Sequence, residues 1–142
     1  MPTISVVPSR LADEIPVAGA PPGSASDGDH AHRVGVGDCM VVQVDGELDI
    51  TGLDSFQRAL SFAIAGGAPT VVVDLRRTRF LSLRNACALA AAMDDAFDAD
   101  IETRLLTGRR QIERALEVTG ARARAHRTVT RRRREREKAA AQ

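Results

Sequence analysis

The most constraining feature of the sequence is a short apolar run, PTVVVDL at residues 69–75, which lies between two stretches with helical periodicity. A continuous run of β-branched residues of this length predicts a strand buried on both faces, as in a parallel sheet. Parallel strands need crossover connections, which are usually helices. The run therefore predicts the central strand of an α/β fold.

Apolar residues recur at helical spacing on both sides of this run, and they predict two amphipathic helices. Gly66 and Gly67 predict the end of the first helix, and Ser82 predicts the N-cap of the second. The apolar positions are Leu53, Phe56, Leu60, Ala63 and Ile64 in the first helix, and Leu83, Ala86, Cys87, Ala90, Met93 and Phe97 in the second.

Further elements extend the pattern in both directions. Residues 30–36 and 39–48 predict a hairpin, and residues 101–107 predict another strand. A third helix follows and is expected to end at Gly120, with a weak last strand over residues 123–129. The order β-β-α-β-α-β-α predicts an α/β sandwich with a largely parallel sheet.

Charge and proline content divide the chain into three parts. Residues 1–29 contain five of the six prolines and predict a flexible leader, residues 30–130 predict the folded domain, and residues 131–142 predict a basic charged tail. Residues 122–142 hold nine of the twenty Lys and Arg but two of the nineteen Asp and Glu. Several interpretations of this basic segment remain open: a solvated or helical extension, a contact with nucleic acid or with an acidic partner, and docking on the acidic domain.

The sequence lacks the motifs of common catalytic and cofactor sites. It contains no phosphate-binding loop, dinucleotide fingerprint or nucleophile elbow. Cys39 and Cys87 lack metal-ligand spacing and are expected to be reduced packing residues, and His30 and His32 lack further ligands. We therefore expect a non-enzymatic protein without metal or cofactor. Without a membrane-length apolar run or a secretion signal, it is expected to be cytoplasmic.

Three carboxylates alternate at the end of the second strand, in DGELDI at residues 45–50. They are Asp45, Glu47 and Asp49. One interpretation is a solvated strand exit in which Asp49 or Thr51 caps the next helix. The other is an acidic rim that recognises a basic partner or controls a phosphorylation site. The residues alone favour the first interpretation.

Four segments in order resemble a STAS domain, and more narrowly the anti-sigma factor antagonists of bacteria. They are GELDI, VVVDL, the F-L-S junction before the second helix, and LEVTGA after the third. The resemblance covers about residues 30–130 and implies a STAS-like sandwich with a four- or five-stranded mixed sheet and three to four helices. It also implies that the partner is an anti-sigma factor with serine kinase activity. In that family the antagonist binds the anti-sigma factor, and phosphorylation of the antagonist prevents this binding.

The phosphorylation motif of that family is degenerate in this chain. The family has a D-S-[ST]-G-like segment after an F-[LMI] pair, which residues 80–81 match. Ser82 falls on the aspartate, Leu83 on the first serine, Arg84 on the phosphoacceptor and Asn85 on the glycine. Arginine cannot accept this phosphate, and it places a cation where phosphorylation would place a dianion. We predict that Ser82 caps the helix and is not phosphorylated.

These observations predict one partner-binding patch at the strand exit and the second helix. Glu47, Asp49, Thr51 and Gly52 would contribute from one side, and residues 82–85 from the other. The resulting hypothesis is a regulator of the sigma/anti-sigma type that binds an anti-sigma factor without the usual serine switch. The alternatives are a basic-tailed nucleic-acid-associated protein and a STAS module that senses a ligand or assembles with other proteins.

Overall fold

The computed structural model describes residues 2–9 and 39–141. Within these residues, no helix is both long and apolar enough to cross a bilayer. The described elements are β1 (Thr3–Ser9), β2 (Cys39–Leu48), a 3₁₀ turn (Ile50–Gly52), α1 (Leu53–Ala65), β3 (Thr70–Leu75), β4 (Thr78–Leu81), α2 (Leu83–Asp98), β5 (Glu102–Thr107), α3 (Arg110–Thr119) and α4 (Ala121–Ala140).

The five strands form one mixed sheet, which confirms the predicted fold class. The order is β1-β2-β3-β5, with β1 antiparallel to β2 and with β2, β3 and β5 parallel. β3 pairs with residues 40–43 of β2 and β4 pairs with residues 46–48, so β3 and β4 lie one after the other along the same side of β2. This arrangement brings the C-terminal ends of the parallel strands to a single edge of the sheet, where the predicted site residues lie.

The core forms where the apolar faces of the helices meet the sheet. All six residues of β3 are buried, as the continuous apolar run predicts. Alternate residues of β2 point into the core, because successive side chains of a strand face opposite sides. The largest fully buried side chains include Val42, Val44 and Leu48 of β2, Phe56 of α1, Leu89 and Met93 of α2, and Ile112 and Leu116 of α3.

Residues 3–9 form a strand within the segment 1–29 that the sequence predicted to be a flexible leader, and residues 10–29 lie outside the described residues. Thr3–Ser9 forms an edge strand paired antiparallel with Cys39–Asp45. Ile4 and Val6 pack against the core, and Pro8 is tolerated because an edge strand has a side that needs no partner. The predicted strand over 30–36 lies outside the described residues. In the described residues, β2 pairs with β1 on one side and with β3 on the other.

The predicted last strand over residues 123–129 is wrong, because α4 runs through it. Gly120 has a φ of 87°, so it ends α3 in the left-handed conformation as predicted, and α4 begins at the next residue. Ala121 and Ala125 are buried against the domain. Alanine and arginine both favour helix, which outweighs the two adjacent β-branched residues of this segment, Thr128 and Val129.

Helix α4 is held against α2 mainly by arginines. Arg124 and Arg127 both bind the Asp94 carboxylate at 3.0 Å. Arg127 and Arg131 also lie over the ring of Phe97, at 4.0 and 3.7 Å from its centroid. These contacts support docking on the acidic domain for the first part of the basic segment, whereas residues 133–141 are exposed.

The buried face of α2 differs from the predicted face at two positions. Cys87 and Leu83 are exposed, and the residues that face the core are Ala86, Leu89 and Met93. The buried face also includes Asn85 and Ala96, so it is rotated relative to the face that the apolar pattern predicts. Both cysteines are free thiols, but only Cys39 is buried as expected of a packing residue.

Candidate functional site

The junction between β4 and α2 is fixed by the backbone and hydroxyl of Ser82. Its side-chain oxygen accepts a hydrogen bond of 3.1 Å from the N–H of Asn85, which is the N-cap arrangement predicted from the sequence. Its own N–H donates to the carbonyl of Leu48 at 3.0 Å. The start of α2 is therefore attached to the end of β2.

Asn85 strengthens this attachment from beneath the surface. Its side chain is fully buried, and Nδ2 donates to the carbonyls of Leu48 and Asp49 at 3.2 and 2.8 Å and to the Ser82 oxygen at 2.8 Å. Oδ1 has no hydrogen-bond partner among the described residues. Asn85 belongs to the predicted patch by position, but it holds the two segments together instead of presenting a surface.

The exit of β2 is organised by Asp49. Its Oδ1 accepts hydrogen bonds from the hydroxyl and the N–H of Thr51, at 2.5 and 3.0 Å, and so caps the 3₁₀ turn. The Thr51 hydroxyl is the main reason that the pKa of Asp49 lies below its ordinary value. Asp49, Thr51 and Glu47 remain exposed. This geometry matches the capping interpretation and leaves the acidic groups accessible to a partner.

Gly52 is buried and supports the site through close packing. A Cβ at this position would lie 3.0 Å from both Leu48 Cδ1 and Pro2 Cγ. The glycine therefore lets the start of β1 approach the 3₁₀ turn. Like Asn85, Gly52 is a predicted patch residue whose side-chain position faces the interior.

Exposed apolar side chains surround this junction. Ile50, Leu83 and Phe80 are 57%, 56% and 41% exposed, although residues of their size usually lie in the core. Phe80 is paired with Glu47 in the β2–β4 register, and Leu83 is the first residue of α2. We refer to Glu47, Ile50, Phe80, Leu83 and Arg84 as the junction surface. Ile50 and Phe80 were not among the predicted site residues, because their exposure depends on packing.

Arg84 occupies the second position of α2 and is exposed. Its guanidinium forms no hydrogen bond or ion pair with residues 2–9 or 39–141. The helix N-terminus already has a partial positive charge, so a cation in the first turn is electrostatically unfavourable there. The start of α2 therefore carries a permanent, solvent-exposed positive charge at the position that the sequence analysis aligned with the phosphoacceptor.

Gln111 of α3 is a positioning residue that the sequence did not reveal. Its amide donates to the carbonyl of Leu81 at 3.0 Å and accepts from the N–H of Leu81 at 3.1 Å. The side chain thus replaces a neighbouring strand at the end of β4 and brings α3 beside the junction. A glutamine in the first turn of a helix carries no distinctive sequence signal for this role.

No group of three or more His, Cys, Asp and Glu side chains in the described residues is arranged to hold a metal ion. His30 and His32, the candidates considered from the sequence, lie outside these residues. The chemistry that the site does offer is apolar contact combined with charges of both signs, which is typical of a protein-binding surface.

Comparison with known proteins places the chain in a family. A family model described as the STAS domain matches residues 31–131. An anti-sigma factor antagonist from Mycobacterium paratuberculosis superposes with a TM-score of 0.53 at 24% identity, covering 58% of this chain and 70% of that chain.

The anti-sigma factor antagonist SpoIIAA in its unphosphorylated form aligns with a TM-score of 0.49 at 20% identity, covering 56% of this chain and 74% of its own. No curated protein has a significantly similar sequence. The likeness to the mycobacterial structure concerns the fold, and the family model covers most of the described domain. The chain belongs to the STAS domain family.

Proposed function

We propose that this protein is a non-enzymatic regulator of the sigma/anti-sigma type that binds an anti-sigma factor through the junction surface. The observation that carries the proposal is the exposure of Ile50, Phe80 and Leu83 beside the accessible carboxylates of Glu47 and Asp49. Exposed apolar residues rimmed by charges mark protein interaction sites. The mycobacterial structure with a similar fold is described as an anti-sigma factor antagonist, and this supports the choice of partner.

The proposal includes binding without a serine phosphorylation switch. Arg84 stands at the family's phosphoacceptor position and cannot be phosphorylated by a serine kinase. The Ser82 oxygen is engaged by two donors from Asn85, the backbone N–H and the side-chain amide, and Ser82 is half-buried. Phosphorylation there would disturb the cap that starts α2. Partner binding would therefore not be cancelled by a kinase.

The proposal is tested by affinity purification from the native host with matched variants. We expect wild type to recover a kinase-like anti-sigma factor and Leu83→Glu to lose it, because the substitution places a charge in the apolar contact. Phe62→Glu is the control. Phe62 is also an exposed apolar residue, but it lies about 14 Å along α1 from its first residue. Recovery of the anti-sigma factor by Leu83→Glu at the wild-type level would refute this binding site.

The absence of the switch is tested separately with the purified partner and ATP. Mass spectrometry should find no phosphate on the wild-type chain, and Arg84→Ser tests whether a hydroxyl restores modification. Stoichiometric phosphate on Ser82 would contradict the proposal.

The nucleic-acid alternative has less support than the protein partner. In the first part of α4, Arg124 and Arg127 bind Asp94 and Arg131 binds Asp100, so a contact with phosphates would have to compete with these ion pairs. The distal part mixes arginines with Glu135 and Glu137. Retention on nucleic acid at low salt, lost on truncation after Thr130, would favour this alternative.

A further inference from the structure

Unpaired arginines are concentrated at one edge of the molecule. Residues 39–121 contain nine arginines, of which Arg58, Arg76 and Arg104 form ion pairs with nearby carboxylates. The side chains of the other six form no hydrogen bond or ion pair with any residue in the described ranges. These six are Arg77, Arg79, Arg84, Arg109, Arg110 and Arg114.

The sheet topology brings the segments that carry these six arginines to one edge of the molecule. Leu75 of β3 is paired with Thr107 of β5, so the segments that follow these two strands are adjacent. A Cβ added to Gly108 would lie 3.6 Å from the carbonyl oxygen of Arg76, which confirms this close approach. The amide bonds between Gln111 and Leu81 then hold the first turn of α3 beside the end of β4. Arginines from β4 and α3 therefore share one edge.

An open cleft of about 780 Å³ lies at this edge, lined by residues that include Arg109, Arg110, Arg114 and Glu117. Glu113 also lines it, but its carboxylate is bound by Arg122 at 2.6 Å and is unavailable to the other arginines. We define Arg77, Arg79, Arg109, Arg110 and Arg114 as the arginine cluster. Arg84 of the junction surface lies at the start of α2, which directly follows β4 and its Arg79. The arginine cluster and the junction surface therefore lie at the same edge.

The positions of these arginines oppose the stability of the helices. Arg109 is the N-cap residue of α3 and makes no capping hydrogen bond, and Arg110 is the first residue of the helix. Cations at a helix N-terminus are unfavourable because of the helix dipole. A local arrangement that weakens the fold and has no compensating partner within it is typical of a functional surface. The combined charges also produce a positive potential that attracts anions.

We propose that the arginine cluster binds an acidic segment of the protein partner that docks on the junction surface. This inference rests on the proposed function, and it adds the chemistry of the partner. Guanidinium groups bind carboxylates through paired hydrogen bonds, and Arg is enriched at protein interfaces. The exposed Glu47 and Asp49 at the end of β2 give the face a negative part as well. These carboxylates would repel the phosphate backbone of a nucleic acid. A protein partner that carries both charge signs can complement the arginines and the carboxylates together, and this complementarity would fix its orientation.

The anion site is tested with the full chain and a labelled decaglutamate peptide at low salt. Arg110→Glu with Arg114→Glu should weaken binding by about tenfold or more, since two favourable contacts become repulsive. Arg134→Glu with Arg136→Glu makes the same charge change on the exposed end of α4 and should alter binding by less than about twofold. If this control weakens binding as much as the cluster variant, the proposed location is wrong.

A thermal unfolding measurement separates binding from folding. Both cluster positions are exposed, and glutamate near the start of α3 interacts favourably with the helix dipole. Because glutamates at 110 and 114 also lie three residues from Glu113 and Glu117 on the same helix, Arg110→Gln with Arg114→Gln is the matched variant without like-charge repulsion, and it should keep the wild-type Tm while it weakens peptide binding. Single-stranded DNA of equal charge is the competing probe. Binding of DNA that is tighter than that of the peptide and equally sensitive to the cluster variant would overturn the inference in favour of nucleic acid.

The anti-sigma factor recovered by wild type then distinguishes the two proposals. Loss of affinity with both Leu83→Glu and the cluster variant supports both. Loss with Leu83→Glu alone overturns the acidic-segment inference and leaves the proposed function intact. If neither variant changes affinity for the purified partner, the proposed function fails, and with it the assignment of an acidic segment to that partner.

Discussion

Replacing Asn85 with alanine tests how the junction is held together. The two hydrogens of Nδ2 serve three acceptors, the carbonyls of Leu48 and Asp49 and the oxygen of Ser82. Each net hydrogen bond is worth about 0.5–1.5 kcal/mol. We therefore expect Asn85→Ala to lower the free energy of unfolding by about 2 kcal/mol, because two bonds are lost.

The loss should not be much larger, because each acceptor keeps another donor. The Leu48 carbonyl still accepts from the N–H of Ser82, and the Asp49 carbonyl from the N–H of Gly52. The oxygen of Ser82 still accepts from the backbone N–H at position 85. For a domain of this size, about 2 kcal/mol corresponds to a fall in Tm of roughly 6 to 10 °C.

Asn85→Asp provides a second test, because aspartate has nearly the same side-chain shape as asparagine but lacks the amide donors. An ionised carboxylate at this buried position would face two carbonyl oxygens and could donate to neither. We expect it to be less stable than Asn85→Ala at neutral pH. Burial and the nearby oxygens should raise the pKa of the new carboxyl above its unfolded value. Its destabilisation is then present at high pH and is relieved as the pH falls through that raised value.

The assay is urea unfolding followed by circular dichroism at pH 7 and at about pH 4.5, with Gln57→Ala as the control. Gln57 is an exposed amide on α1, so its removal should change stability by less than about 0.5 kcal/mol. The reasoning is refuted if Asn85→Ala is as stable as this control. It is also refuted if Asn85→Asp is as stable at neutral pH as Asn85→Ala.

Three further predictions concern helix α4, the thiols and the turn. Hydrogen bonds from two arginines of α4 lower the pKa of Asp94 in the folded protein. The stability that the Asp94 carboxylate contributes is therefore complete above its unfolded pKa and is lost as the pH falls through the lower folded value. Asp94→Asn should reduce the protection of α4 amides in hydrogen exchange at neutral pH and remove this pH dependence. Under native conditions a maleimide should label exposed Cys87 quickly and buried Cys39 only after unfolding, as mass spectrometry of peptides would show; equal labelling would contradict the packing of β2. Gly52→Ala should destabilise the fold by about 1–3 kcal/mol, because the new methyl group would lie only 3.0 Å from Pro2. An unchanged midpoint of urea unfolding would show that the start of β1 does not pack on this turn.

Much of the central fold could be predicted because its signals are local. The continuous apolar run of β3 and the helical spacing in α1 and α2 each identify an element within one segment of chain. Ser82 was recognised as a cap because capping depends on neighbours three residues away. The order of the elements then restricted the topology to an α/β sandwich.

The errors occur where distant parts of the chain decide the structure. β1 lies in a proline-rich segment and becomes a strand by pairing with β2, more than thirty residues later. The sequence predicts a strand over residues 123–129, but this segment belongs to α4. The burial of Ala121 and Ala125 and the contacts with Asp94 stabilise it as a helix. Neither partner could be identified from the local pattern, because pairing and docking depend on tertiary contacts.

The sequence by itself determined the chemical groups of the candidate site: a capping serine, an arginine two residues later, and carboxylates at the end of β2. Only the tertiary structure decided which groups are presented to a partner. Asn85 and Gly52 are buried, whereas Leu83 is exposed and is joined by Ile50 and Phe80. The unpaired arginines likewise share one edge only after the parallel strands align their C-terminal ends. The physical reason is that residue identity fixes charge and hydrogen-bonding capacity, while exposure and proximity are set by how separate elements pack.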